Sequence, residues 1–506
     1  MTQPNQTLSG RDLGLAAVAA LAPRARWQLS SGSIERMRTS RAAVERAVTA
    51  GAARYGITTG FGAFANRLIP PHKVLELQAN LVRSHACGVG APLAARHVRR
   101  VLLLKANNLS AGFSGVRPEI VDALLALLAH DVLPRVPGRG SVGASGDLAP
   151  LAHVALALIG EGEAEHDGRL LEGPAVCAAG GFAPLRLEAK EGLALLNGTQ
   201  VSTALALDGW HRTRRLLESS IAIGSLTVEA LAGSHAPFDP RVHDARGQAG
   251  QRHVAAAMMR LLGDSEIHAS HADCDRVQDP YAVRCLPQVV GAAWDTLEHA
   301  AGVLQAEVNG VSDNPLIFGD DIISGGNFHA APIGLVADFL AIALTDVASQ
   351  SERRIDLLDR RVNPNLNMFL TTEPGVESGF MIAHVTAAAL ASENKTLAHP
   401  ASVDSIPTSA GQEDHVSMAP WAGHKLLAIC DNATTILAIE LLAAAHALDA
   451  QRPLHSSPRL EALHALLRAQ VRFQPTDHRL DREIAAAGGL IESGAVAALL
   501  PGAPPA

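Results

Sequence analysis

Four stretches in the second half of the chain, residues 290–307, 335–352, 382–397 and 425–448, return apolar residues at three- and four-residue spacing with hardly any Gly or Pro. That period belongs to long helices, and the Ala and Leu that dominate these stretches favour helix at nearly every step. Small Ala side chains on facing positions let helix axes approach closely. The economical architecture is therefore mainly α, a bundle of long antiparallel helices, in which the 382–397 helix is expected to be buried nearly all round. The first 200 residues are more mixed, with shorter helical segments at 41–51, 73–86 and 118–129. After Pro453, short helices at 458–471 and 480–487 fit a cap on the bundle. The expected division is a loop-rich N-terminal region over 1–196, a central long-helix bundle over 197–452 and a C-terminal helical cap over 453–506.

Charge narrows the function. The 506 residues include 42 Lys and Arg against 50 Asp and Glu, a formal net charge of −8 with no basic cluster. Counterion release needs clustered Lys and Arg, so nucleic acid and anionic membrane surfaces are poor partners and a small-molecule substrate is the better one. No charge-free apolar stretch approaches the roughly 18 residues of a membrane span, and the N-terminus lacks a basic n-region. Cys87, Cys177, Cys274, Cys285 and Cys430 are scattered with no CxxC pair, which fits neither a disulfide framework nor a zinc site and implies a reducing, cytoplasmic setting.

Gly- and Pro-dense connectors at 55–62, 134–146, 173–184, 309–315 and 324–332 separate the helical stretches. Such loops on a rigid helical scaffold are where binding and catalytic groups concentrate. GRGSVG at 138–143 matches the dinucleotide fingerprint GxGxxG, but PRVP precedes it where an apolar strand is required, and no βαβ alternation follows. His268 and His271 lack the spacing that puts two metal ligands on one helical face, so no metal is expected. Ala144-Ser145-Gly146, just before an apolar helix over 148–159, is of more interest. Its plain reading is a helix N-terminus capped by Ser145 or Asp147. In a tightly bent backbone, however, the Gly146 nitrogen can attack the Ala144 carbonyl, because glycine has no Cβ to block the approach. Loss of water from that ring and from Ser145 leaves an exocyclic methylidene, a strong electrophile made without any external cofactor.

The run GSVGASGDLAPLAH around this tripeptide resembles that of the aromatic amino acid ammonia-lyases and aminomutases. So do, in family order, YGITTGFG from Tyr55, NLVRSHACGVGAPL from Asn80, KEGLALLNGTQ from Lys190, VQDPYAVRC from Val277, SDNPL from Ser312, SGGNFHA from Ser324, SGFMIAHVTAAALASENK from Ser378 and QEDHVSMAP from Gln412. The resemblance implies an aspartase-like helical architecture, a homotetramer with sites shared between subunits, and a prosthetic 4-methylidene-imidazole-5-one (MIO) formed from Ala144, Ser145 and Gly146 in the N-terminal region. Ser84-His85 and Glu413 look like the branch that eliminates ammonia from L-histidine to give trans-urocanate. A carboxylate can hold an imidazole N–H by a charge-assisted hydrogen bond, yet against a phenyl ring it would be an unpaired buried charge.

By the same resemblance, the substrate amine adds to the methylidene carbon, Tyr55 removes the β-proton and Tyr281 assists at the amine end. Arg284 pairs with the substrate carboxylate, Asn197 and Gln278 hydrogen-bond the ring and its surroundings, Phe328 and Met381 shape the pocket wall, and His85 and Glu413 hold the imidazole. Taken singly, most of these residues have plainer readings: Phe328 and Met381 as core, Arg284 as a surface ion pair, Asn197 as a helix terminator, Glu413 beside Asp414 as a solvated pair. The two tyrosines are harder to set aside, because Tyr55 and Tyr281 are the only ones in the chain and both fall inside matching motifs. Thr58, Ala330-Ala331, His384 and Gly411 depart from the histidine pattern, which keeps open a tyrosine or phenylalanine ammonia-lyase, an aminomutase, or a lyase acting on a modified histidine.

Overall fold

The computed structural model describes residues 6–51, 53–272 and 274–500. All four long helices are present, each a little longer than its apolar period: Leu286–Val308, Ala331–Asp359, Met381–Leu397 and Ala419–Asp449. The chain is mainly α. Strands are short and confined to two- and three-stranded ribbons, such as the antiparallel hairpin of Leu316–Phe318 with Asp321–Ile323. Among the longer helices, three have no counterpart in the apolar pattern: the 31-residue Gln200–Ala230, the 16-residue Ala95–Ser110 and the 14-residue Ala249–Leu262.

Two compact units emerge, built from interleaved stretches. The first gathers the described parts of Met1–Asp208, Ala301–Ala337 and Pro400–His424; the second gathers those of Gly209–Ala300, Asp338–His399 and Lys425–Ala506. This grouping follows packing, whereas the division at 196/197 and 452/453 follows chain order.

In the second unit three long helices meet at one buried ion pair. Arg354 donates to both oxygens of Glu440, Nε to Oε1 at 2.5 Å and Nη2 to Oε2 at 2.8 Å, with both side chains fully buried. Thr227 and Ser351 hydroxyls donate to the same carboxylate at 2.7 and 2.5 Å. Small residues bring the axes close. A Cβ on Gly224 would lie 2.3 Å from the Leu286 Cδ1 atom, and one on Gly209 would lie 2.3 Å from the Leu426 Cδ2 atom.

The expectation that the 382–397 helix is buried nearly all round is incorrect. Only Ala383, Ala387, Ala391 and Asn394 of Met381–Leu397 are buried, while Ile382 and Val385 are 62% and 55% exposed. Alanines four residues apart pack one narrow face closely, and this chain leaves the branched residues on the other side uncovered. Ala331–Asp359 and Ala419–Asp449 are long and apolar enough to cross a membrane by length and composition. Most of each apolar window is nevertheless buried inside the protein, and Lys425 pairs with Asp338 at 3.0 Å, the pattern of core helices.

The second unit also carries an acid-sensitive group. His446 packs against Phe380 and Phe473, with ring centroids 5.4 and 4.9 Å away, and burial pushes its pKa down to about 4. The same imidazole in the unfolded chain takes up its proton near 6.5, so between those values the native state binds fewer protons than the unfolded one. Stability is therefore retained above pH 6.5 and lost as pH falls towards 4, by about 3 kcal/mol at full effect. Thermal unfolding midpoints measured across that window are expected to fall, and the His446→Leu variant is expected to show a shallower fall. An identical slope in the variant would assign the acid sensitivity to other groups.

Candidate active site

The loop before the helix Leu148–Leu158 is bent by glycines at positive φ, Gly143 at 64° and Gly146 at 75°. Gly146 lies against Gly198 of the LNGT turn: the Asp147 N–H donates to the Gly198 carbonyl at 2.8 Å, and a Cβ on Gly146 would sit 2.2 Å from that oxygen. Only glycine fits there. The capping reading of the tripeptide fails, because neither Ser145 nor Asp147 makes a side-chain cap to the helix Leu148–Leu158. The Asp147 carboxylate turns instead to the first turn of Gln200–Ala230, accepting from the Ser202 N–H and hydroxyl, both at 2.8 Å, and from the Ser141 hydroxyl at 3.0 Å. A carboxylate there meets the unpaired N–H groups and positive end of that helix, although burial still raises its pKa.

Ser145 is held at both ends. Its hydroxyl donates to Glu413 Oε1 at 2.6 Å, and its carbonyl accepts from Asn197 Nδ2 at 2.8 Å. The second Glu413 oxygen accepts from the Thr408 hydroxyl at 2.6 Å, across a turn in which Ser409 and Ala410 take left-handed φ. Asn197 follows the short helix Glu191–Leu196 and is fixed through its own carbonyl, which accepts from the buried amine of Lys105 at 2.8 Å. The same amine donates to the Ala194 carbonyl at 3.1 Å, and burial pulls its pKa down to about 7. The Asn197 side-chain oxygen, also buried, has no hydrogen-bond partner among the described residues.

His85 ends the helix Val74–His85. Burial lowers its pKa, partly offset by a bond to the Leu81 backbone and by the charge of Glu413, so imidazole and carboxylate share one electrostatic environment. Phe328 lies on a segment tied to both sides of the loop: the Ala330 N–H donates to the Gly143 carbonyl at 3.3 Å, and His329 Nε2 bonds the His415 carbonyl at 3.1 Å. Tyr55 sits on a turn packed against Leu193 through Gly56, where its phenol oxygen accepts from the Gly62 N–H at 3.3 Å. Thr58, one of the departures from the histidine pattern, is buried in that turn and accepts from the Arg54 N–H at 2.8 Å. It shapes the Tyr55 loop.

The first unit thus brings together Ala144, Ser145, Gly146, Asn197, Glu413 and His85, with Tyr55 and Phe328 on loops packed into the same unit. Gln278, Tyr281, Arg284 and Met381 belong to the second unit. There Arg284 Cζ stands 4.7 Å from the centre of the Tyr281 ring, and its Nε donates to the Asp279 carbonyl at 3.0 Å. Asp279 is anchored by Arg276 at 2.8 Å and by the Ser234 N–H at 2.7 Å. Tyr281 is 71% exposed, Gln278 is exposed and Met381 is 37% exposed. One turn beyond Met381, His384 bonds Glu352 at 2.8 Å and tethers that helix. Sequence reading passed over Lys105 and Thr408. A lone lysine inside the apolar run LLLKANNLS was the available signal for the first, and nothing in the sequence marks the second.

The chain that carries this bent Ala-Ser-Gly loop, its serine between an amide and a carboxylate, belongs to the aromatic amino acid lyase family, which it matches over residues 13–469. It is 52% identical to the histidine ammonia-lyase of Idiomarina loihiensis over 476 residues, 94% of this chain and 93% of that protein. Among solved structures it is similar to histidine ammonia-lyase from Trypanosoma cruzi, with a TM-score of 0.90, 37% identity and coverage of 99% and 96%. It is similar as well to tyrosine aminomutase from Streptomyces globisporus, with a TM-score of 0.93, 36% identity and 98% of each chain covered.

Proposed function

We propose that this protein eliminates ammonia from L-histidine to give trans-urocanate, using an MIO group formed from Ala144, Ser145 and Gly146. The observation that carries the reading is the 2.6 Å bond between Ser145 and Glu413, with His85 in the field of the same carboxylate. That bond supports the reading, because the carboxylate lies beside the residue that would become the electrophile and is freed for an imidazole N–H when the Ser145 hydroxyl leaves as water. The residues present fit the group: glycine at 146 allows the backbone approach, Asn197 holds the Ser145 carbonyl, and its own oxygen is a spare buried acceptor. When formed, MIO supplies an electrophilic carbon for the substrate amine, chemistry that no ordinary side chain offers.

The remaining work falls to the chain. Glu413 and His85 bind and orient the imidazole, and because Glu413 is already tied to Thr408, little freedom is lost when substrate arrives. Tyr55, held as an acceptor by the Gly62 N–H, is the base for the β-proton. Lys105 keeps Asn197 in place from below.

Gln278, Tyr281, Arg284 and Met381 complete the site from a neighbouring copy in a cytoplasmic homotetramer. Support comes from apolar surface that one chain leaves uncovered: Leu335, Phe339 and Ile342 along one helix stripe, Ile382 and Val385 on another, and the Tyr281 ring. Arg284 there would pair with the substrate carboxylate, and Tyr281 would face the amine. Light scattering of the purified protein is expected to give four times the chain mass.

Absorbance of the conjugated product should grow with L-histidine and stay flat with tyrosine and phenylalanine; growth with tyrosine alone would overturn the substrate. Glu413→Gln keeps the shape and removes the charge. Loss of a charge-assisted bond in the transition state corresponds to a fall of about 10²-fold in kcat/KM for histidine. An unchanged value in steady-state assays would remove Glu413 from the imidazole site.

A further inference from the structure

Behind the Gly198 turn, the helices Gln200–Ala230, Ala95–Ser110 and Leu286–Val308 border a small, partly open pocket with room for about one water-sized occupant, its apolar side made by Leu104 and Val308. Asn108, Thr199, Gln200, Thr203 and Glu307 line it. Its chemistry is one-sided. The Asn108 and Gln200 side-chain oxygens are buried and receive no hydrogen bond from any described residue. The Asn108 amide cannot be turned over to relieve this, because its nitrogen is committed to the Gly310 carbonyl at 3.2 Å. Glu307 adds a carboxylate whose bond in the structure comes from the Thr199 hydroxyl, and burial raises its pKa.

Among the surrounding buried charges, Lys190 is matched by Asp313 at 2.7 Å. Beyond that pair stand Asp147, which the start of the helix Gln200–Ala230 holds, Lys105, which is committed to two backbone carbonyls, and Glu307, whose one hydrogen bond among the described residues comes from a neutral hydroxyl and whose ionised form burial disfavours. A water molecule would satisfy the orphaned oxygens but give Glu307 no counter-charge. A cation answers both.

We propose that this cavity binds a dehydrated monovalent cation of the potassium or ammonium class, held by Glu307 and the side-chain oxygens of Asn108, Gln200 and the two threonines. A donor set of oxygen alone, with neither imidazole nor thiolate, does not suit zinc-type ions. A single carboxylate gives less charge than divalent calcium or magnesium sites commonly carry. Ammonium has an added interest, because the reaction proposed above releases it; the site itself does not depend on that reading. Thr199 directly follows Gly198, which packs on Gly146, so the bound ion braces the turn beneath the tripeptide.

Crystals of the full-length protein grown with rubidium or thallium(I) in place of sodium test the site directly. Anomalous density is expected among Glu307, Asn108, Gln200 and Thr199. Density of a water alone, without anomalous signal at saturating ion, would overturn the proposal. In solution, potassium or ammonium chloride is expected to raise the thermal midpoint by about 2–4 °C over choline chloride at equal ionic strength, in a saturable way. Potassium without ammonium would mark a purely structural ion, and a response to ammonium would tie the site to product. Glu307→Gln is expected to abolish the difference. Equal midpoints in choline would count against the site, and should Glu307→Gln fail to fold, the crystallographic measurement on the unaltered chain still decides.

Discussion

Replacing Ser145 with alanine is expected to lower kcat at least about a thousandfold while leaving the fold intact. Alanine has no hydroxyl to lose, so the methylidene carbon cannot form, and no neighbouring residue offers a substitute electrophile. The structural cost is small. Ser145 is partly buried, its hydroxyl bond goes to a carboxylate that Thr408 also holds, and its carbonyl bond to Asn197 uses the backbone, which alanine keeps. Single-turnover assays with L-histidine, together with a circular dichroism melt, separate the two effects. An active Ser145→Ala protein would mean that the chemistry does not run through this tripeptide.

The second large effect is on stability. Arg354→Met removes one partner of a fully buried ion pair and leaves Glu440 with an uncompensated charge among three helices. Breaking such a pair from one side costs about 3–5 kcal/mol. Arg354 also reaches the Gln350 side chain at 3.3 Å and the Ala282 carbonyl at 3.5 Å, so the short helix Tyr281–Arg284 should loosen with it. The double variant Arg354→Met, Glu440→Met replaces both charges with apolar groups and is expected to recover most of the loss. Thermal midpoints of the single and double variants check this: a double variant no more stable than the single one would mean that packing, and not charge, accounts for the loss.

What could be read from the sequence follows from what each residue had to do. Where helices are held by an apolar stripe, as in 425–448, the period alone located them. Gln200–Ala230 escaped because its buried side includes Ser202, Thr203, Thr213, Ser220, Ser225 and Thr227. These break the apolar rhythm; some satisfy themselves inside the helix, as Ser225 does by donating to the Ile221 carbonyl at 2.8 Å, and others bond outside it, as Ser202 does to Asp147 and Thr227 to Glu440. Ala95–Ser110 escaped for a related reason, since Lys105, Asn107 and Asn108 are buried in it to hold other segments. The misjudged burial of the 382–397 helix shows the converse: composition reports that a face wants covering but not which chain covers it.

At the candidate site, three residues nominated from separate motifs do meet. Ser145, Asn197 and Glu413, spread over 268 positions, converge on one another. Residues that hold these three in place from behind were not legible. Thr408 reads as an ordinary loop residue, and Asp147 as a helix cap until the fold shows its carboxylate turned to a different helix.

Fragmentation mass spectrometry of the peptide spanning residues 140–150, taken from freshly purified native protein, tests the central claim most directly. Cyclisation and dehydration remove two waters, so the peptide is expected to be about 36 Da lighter than its encoded sequence, with the deficit confined to Ala144-Ser145-Gly146. A peptide of full encoded mass, in protein that turns over histidine, would contradict the account.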